Sequence, residues 1–234
     1  MPATNLVNGD FFHTFPLTDG LFGVLICDVM GHGVRSALVT AMVRALAETH
    51  IGSAGDPGKF MSILNRNMCY LLNNTDGPQF VTAQYLLLDF DVRLVRYAIA
   101  GHHASLHFTQ NNGGFVPLIV EQAIDGPPLG IIQDFIYGTH VTSFANGDIF
   151  LLYTDGLFEV FSPEGDEFGQ ERLLAALQER CLLAVPTIFK EIVEELEKFT
   201  GKNTFPDDIC LIGLEVSMLT EMNMPEQVCR HSFS

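Results

Sequence analysis

An α+β fold, two packed antiparallel sheets with a helix layer on each outer side, is the architecture this sequence predicts. Short apolar, β-branched runs recur along the chain and are joined by turn residues, which reads as hairpin-linked strands. Between them lie two pairs of segments whose apolar residues recur at three- and four-residue spacing, the period of a helix. With 234 residues, 47% hydrophobic and 17% charged, the chain can bury the core of one large domain.

The elements follow in order. Phe11 to Leu17 and Leu21 to Val29 flank the turn Thr18-Asp19-Gly20 and read as a hairpin. Val34 to His50 carries Val34, Leu38, Ala41, Met42, Ala45 and Leu46 at helical spacing and starts directly after two glycines. Asp56-Pro57 supplies an N-cap and a first-turn proline for a second helix from Pro57 to Asn73, with Phe60, Ile63, Leu64 and Leu71 inward. Strands return at Phe80 to Asp89 and Arg93 to Ala100, then at Ser105 to Phe108 and Phe115 to Val120 around Asn111-Asn112-Gly113-Gly114. After the break at Gly126-Pro127-Pro128, Ile136 to Phe144 and Ile149 to Tyr153 read as a pair across Asn146-Gly147-Asp148. Glu171 to Arg180 and Pro186 to Phe199 read as helices, Ile209 to Val216 as a closing strand, and Met218 to Ser234 as a detachable tail.

Charge and cysteine usage narrow the function. A formal charge of −16 without any Lys/Arg run excludes a phosphate backbone or an anionic membrane surface as partner, since both need clustered positive charge. The longest apolar stretches, such as Leu21 to Cys27, fall far short of the roughly 20 residues of a membrane span, so no membrane insertion is expected. Met1 is followed by polar and small residues rather than a charged and then apolar leader, which points to the cytoplasm. Cys27, Cys69, Cys181, Cys210 and Cys229 show no C-x-x-C pair and fit reduced thiols.

Four short segments carry the chemistry. Gly9-Asp10, Asp28-Val29-Met30-Gly31-His32-Gly33, Thr154-Asp155-Gly156 and Asp207-Asp208 each set an aspartate at a strand end or a glycine turn. Carboxylate oxygens gathered around one point suit hard divalent cations. Asp28 and Asp155 follow strongly hydrophobic runs, where an uncompensated carboxylate is costly, so a cation should accompany them. Cys27 and Cys210 sit in apolar strand patterns without the loop a thiolate nucleophile needs.

Together with Gly9-Asp10-Phe11-Phe12, Ala100-Gly101-His102-His103, Leu152 to Glu159 and Asp207-Asp208-Ile209, these segments resemble the successive motifs of metal-dependent Ser/Thr protein phosphatases of the PPM (protein phosphatase 2C) type. More narrowly they resemble the bacterial stage II sporulation protein E-like branch, over residues 5 to 217 and in the right order. The resemblance implies a four-layer αββα sandwich over 1–217 with a site for two Mn²⁺ or Mg²⁺ ions, followed by the tail 218–234. Asp28 would bridge both metals with the Val29 backbone carbonyl as a further ligand, Asp155 and Asp207 would hold the first metal, and Asp10 would sit at the second. Asp208 would be a neighbouring turn residue, Gly31, Gly33 and Gly156 would let the backbone pass close to the metals, and His32 is a candidate acid for the leaving group. His102 and His103 would hold loops together near the site, whereas His13 stands where many relatives carry a second acid.

The implied reaction is hydrolysis of a phosphoserine or phosphothreonine monoester, with in-line attack by a hydroxide bridging the metals. The implied substrate is a phosphorylated STAS-domain protein such as an anti-sigma-factor antagonist in bacterial signalling. The chain begins a few residues before Asp10, where the family usually has a further strand and, before it, a sensory or receiver domain, so a longer natural protein is expected. A homodimer is left open, as are two other readings: a catalytically silent relative that binds a partner, and a metallohydrolase of small phosphate esters.

Overall fold

β1 (Phe11–Thr18) and β2 (Leu21–Val29) form the expected hairpin, with Phe11 opposite Cys27 and Phe15 opposite Gly23. The computed structural model describes residues 9–18, 20–31, 33–73, 79–110, 113–118, 126–205, 207–217 and 226–230. Among these the elements continue with α1 (Val34–Thr49), α2 (Pro57–Leu72), β3 (Val81–Asp89), β4 (Leu94–Ala100), β5 (Leu106–Thr109), β6 (Gly114–Pro117), β7 (His140–Ser143), β8 (Ile149–Tyr153), α3 (Gly169–Glu179), α4 (Val185–Thr200), β9 (Ile209–Glu215) and β10 (Glu226–Arg230). The strands make two five-stranded antiparallel sheets, in the orders β1-β2-β3-β4-β7 and β10-β9-β8-β5-β6. The α+β class with a helix pair on each antiparallel sheet is therefore found.

In the first unit, α1 and α2 cover one sheet face. Leu25, Cys27 and Val29 of β2 and Val81, Ala83, Tyr85 and Leu87 of β3 pack with Val39, Val43 and Ala47 of α1 and Phe60, Met61, Leu64 and Met68 of α2. The alternation along each strand sends Val24, Ile26 and Asp28 to the opposite face. Asp56 caps α2, accepting from the Lys59 N–H at 3.2 Å, with Pro57 at the first turn as expected. The inward stripe of α1 differs from the one its spacing suggests: Ser36, Val39, Val43 and Ala47 are buried, while Val34, Leu38 and Met42 are exposed. The helix has apolar residues on both sides, and the slender branched face is the one that lies against the sheet. On α2, Leu71 is exposed and Leu72 takes the inward place.

In the second unit, α3 lies against β6 and α4 against β9 and β10. Val185, Ile188, Phe189, Ile192, Val193 and Leu196 form one face of α4 and pack on Leu151, Tyr153, Ile209 and Leu211. Each such side chain contributes roughly 1.5–3 kcal/mol when fully buried. Arg180 braces the two helices through Glu191 at 3.0 Å and Glu195 at 2.6 Å.

One expected pairing needs correction. Ile136 to Phe144 and Ile149 to Tyr153 do not pair: β7 lies on β4 in the first sheet, while β8 lies between β5 and β9 in the second. β8 is buried at every position and needs a central place, whereas β7 is half exposed and suits an edge. β7 is also shorter than predicted, because α2 takes the preceding backbone for itself. The Tyr137 N–H donates to Ser62 Oγ at 3.0 Å, and Thr139 Oγ1 accepts from the Gly58 N–H at 2.8 Å. Within the segment read as a tail, Glu226–Arg230 forms an edge strand on β9.

Candidate metal centre

The β1/β2 register places the first carboxylates. Phe11 faces Cys27 and Phe12 faces Ile26, so the next step brings Asp10 opposite Asp28 and Gly9 opposite Val29. The Val29 N–H donates to the Gly9 carbonyl at 3.3 Å, so the ladder runs that far. On the other side of β2, Asp28 faces Thr82 of β3. Directly opposed residues of antiparallel strands share a sheet face, so Asp10, Asp28 and Thr82 form a row across three strands on the face away from the helices. Like charges so placed repel. Their field is felt by Cys27, whose thiol is pushed far up, first by burial and then by Asp28 and Asp10.

Gly9 is as important to this row as the acids. A Cβ there would lie 2.7 Å from the Val29 carbonyl oxygen and 3.3 Å from that of Gly31. Only a residue without a side chain lets Asp10 approach so closely. Thr40 Oγ1 of α1 donates to the same Gly9 carbonyl at 3.3 Å, tying the helix to the Asp10 segment. Gly31 and Gly33 take φ of +93° and +83°, the left-handed region, before α1 begins. His32 lies outside the described residues.

The second unit places its acids beyond the strand ends. Thr154 continues the β8/β9 ladder: its N–H donates to the Cys210 carbonyl at 3.0 Å and its Oγ1 accepts from the Cys210 N–H at 2.9 Å. Asp155 therefore opens a short 3₁₀ turn, Asp155–Leu157, beside the Asp207-Asp208 doublet. Its carboxyl is raised above the ordinary value, first by burial and then by the charge of Asp207, against hydrogen bonds from the Gly156 and Asp155 N–H groups. Asp207 is exposed and accepts from the Asp208 N–H at 2.8 Å, whereas Asp208 is buried. Gly156 lies against the Asp208 carbonyl, where any Cβ would collide. Sequence reasoning passed over Glu159, whose carboxyl is raised by burial and then by Asp155, Glu167 and Asp207. Its place four residues after Asp155 was the available signal.

These donors fit a hard divalent cation. Each unit crowds two aspartates at one end of its sheet, and such oxygen-only sets are what Mg²⁺ and Mn²⁺ take. Among the described residues, no group of three or more His, Cys, Asp or Glu side chains is placed to hold an ion. His13 faces the other way. It pairs with Leu25 on the helix side of the sheet and contacts Glu48 of α1 at 2.6 Å, which makes it a strand-to-helix tie. Cys27, Cys69, Cys181 and Cys210 form no disulfide, and the first, second and last are buried. No helix among the described residues is long and apolar enough to cross a membrane.

Comparison with known proteins identifies the family. The chain is 30% identical over 215 residues to phosphoserine phosphatase RsbP of Bacillus subtilis (strain 168), covering 92% of this chain and 50% of RsbP, so it spans about half the length of that relative. Its structure is similar to the SiaA-PP2C domain of Pseudomonas aeruginosa, with TM-score 0.75, 24% identity and coverage of 88% and 80% of the two chains. It is also similar to RsbX solved in complex with magnesium, with TM-score 0.59, 21% identity and coverage of 88% and 86%. A family model described as Stage II sporulation protein E (SpoIIE) matches residues 18–217, most of the chain and both aspartate-bearing strand ends from Asp28 to Asp207, and the chain belongs to that family.

Proposed function

We propose that this chain is the phosphatase part of a metal-dependent protein serine/threonine phosphatase. The observation that carries the reading is the doubled pair of crowded aspartates, Asp10 with Asp28 and Asp155 with Asp207, on the first and second sheets. Buried or opposed carboxylates without a cation are a standing cost that no packing gain explains. Asp28, the Val29 carbonyl, Asp10, Asp155 and Asp207 would hold two Mn²⁺ or Mg²⁺ ions. When bound, such ions activate water for in-line attack on phosphorus and neutralise the phosphoryl oxygens. The chain's own residues orient the carboxylates, and Gly9 and Gly156 keep side chains out of the way. With its thiol raised, Cys27 stays protonated at neutral pH and is no nucleophile.

The proposed substrate is a phosphoserine or phosphothreonine of a STAS-domain protein in bacterial signalling; similarity to a phosphoserine phosphatase supports the phosphoserine part of that reading. Because the chain spans half of that relative, a regulatory region elsewhere in the natural protein is part of the proposal, as is a phosphatase domain over 1–217 to which the following segment adds the edge strand Glu226–Arg230. Incubating the chain with Mn²⁺ and a phosphorylated STAS protein from the same genome tests it. Release of phosphate that stops with chelator and with Asp28→Asn is expected. Turnover that survives both would overturn the reading.

A further inference from the structure

Asp28 has a carboxylate neighbour on one side, Asp10, and a hydroxyl neighbour on the other, Thr82. Thr82 Oγ1 lies 2.9 Å from Nδ1 of His102, a residue only 4% exposed. The turn bearing His102 is itself held firmly. Gly101, at φ +66°, lies so close to Pro128 that a Cβ would come within 2.6 Å of its ring. Gly101 also bridges to Ala83 of β3, and the His102 ring stacks on His103 with centroids 4.2 Å apart.

We propose that His102 is a positioning residue for metal binding, acting through Thr82 on Asp28; this rests on the reading of Asp28 as a metal ligand. A threonine hydroxyl has a single proton to donate. If that proton goes to Nδ1, only lone pairs face the Asp28 carboxylate and the two repel. If Nδ1–H donates to Thr82 instead, the hydroxyl proton is available for the carboxylate opposite. An ionised Asp28 selects the second arrangement. His102, Thr82 and Asp28 then form a donor chain that fixes one carboxylate oxygen and leaves the other directed toward the cation. Neither residue touches the ion or the substrate, so the effect appears in metal affinity, as outer partners of metal ligands generally act.

The test measures Mn²⁺ affinity of the 234-residue chain by calorimetry, with the thermal midpoint in chelator as a separate measure of folding. Thr82→Val, similar in shape and lacking the hydroxyl, is expected to weaken Mn²⁺ binding by about tenfold. Thr82→Ser keeps the hydroxyl, and His102→Asn keeps a donor where Nδ1 stood; both are expected to retain affinity. His102→Ala should match Thr82→Val, and the two changes together should weaken binding no further than either alone, because they cut the same chain. Should His102→Ala fail to fold, Thr82→Val against Thr82→Ser decides. Wild-type affinity in Thr82→Val, with binding lost in Asp28→Asn, would overturn the positioning role and leave the metal assignment standing. Unchanged binding in Asp28→Asn would overturn both.

Discussion

The two sheets solve the same problem in different ways. The first holds Asp10 opposite Asp28 within its own ladder, so strand register sets the distance between the acids. The second ends its ladder at Thr154 and places Asp155 and Asp207 in the turns just beyond. Acids inside a ladder are stiff and cannot separate without unpairing strands, whereas acids in turns can adjust. The first pair should therefore keep a fixed spacing, and the second should be able to change its own.

The largest expected effects break the two pairs directly. Asp28→Asn and Asp155→Asn should each reduce Mn²⁺-dependent turnover by more than the roughly 10- to 100-fold typical of outer-shell changes, read in a phosphate-release assay. Without metal the opposite should hold for stability. Asp28→Asn removes the opposition with Asp10 and should stabilise the chelated chain by about 0.5 kcal/mol in thermal melts. Asp155 has its folded pKa raised, so its share of stability is intact below the ordinary value of 3.8 and is lost as pH rises through the higher folded value. Asp155→Asn should flatten that slope in the chelated chain, and an unchanged slope would contradict the crowding.

Next in size are the glycines that admit each pair. Gly9→Ala drives a methyl into the Val29 carbonyl, and Gly156→Ala drives one into the Asp208 carbonyl. Each should cost about 1–3 kcal/mol in urea unfolding. The comparison predicts that Gly9→Ala also weakens Mn²⁺ binding more than Gly156→Ala, since it distorts the stiff side.

The buried cysteines come third and should leave chemistry untouched in both sheets. Cys27→Ser and Cys210→Ser should lower stability by roughly 1–3 kcal/mol where the hydroxyl stays unpaired, with kcat unchanged in the folded fraction. Loss of activity on alkylation without unfolding would contradict this. The smallest effect belongs to the second sheet alone. His107 is buried against Phe150 and meets Asp148 at 2.9 Å, while Asp148 also accepts from the Ala145 N–H. Burial depresses the His107 pKa below its ordinary 6.5, and Asp148 opposes that only in part. The unfolded chain therefore takes up the proton first, so stability is full above pH 6.5 and declines as pH falls toward the depressed value. His107→Gln should remove that decline in melts between pH 5 and 7.

Much of this was legible beforehand. Asp28 and Asp155 stood out because each follows an apolar run, and Asp56-Pro57 announced the start of α2. Periodicity failed on α1, whose apolar residues lie on both sides; only the packed sheet decides that Val39 rather than Leu38 turns inward. The false pairing of β7 with β8 arose because Asn146-Gly147-Asp148 has hairpin chemistry. The structure employs that turn as a crossover, pinned by a histidine 41 residues away that no local pattern connects to it. Gly9 escaped notice for a similar reason, since its function is a close approach of two backbones.

The order in which the chain visits its two sheets has a consequence for synthesis and for dissection. Ser105–Leu118 leaves the first unit to become β5 and β6 of the second, the chain returns to add β7 to the first, and only from Ala145 does it complete the second. While the chain is emerging from a ribosome, the β5/β6 hairpin waits without the central strand β8 that it needs on its other side. Contacts so distant in sequence form slowly. No single cut yields two halves that each own a whole sheet, so truncations inside 105–217 should give insoluble products rather than a smaller working module.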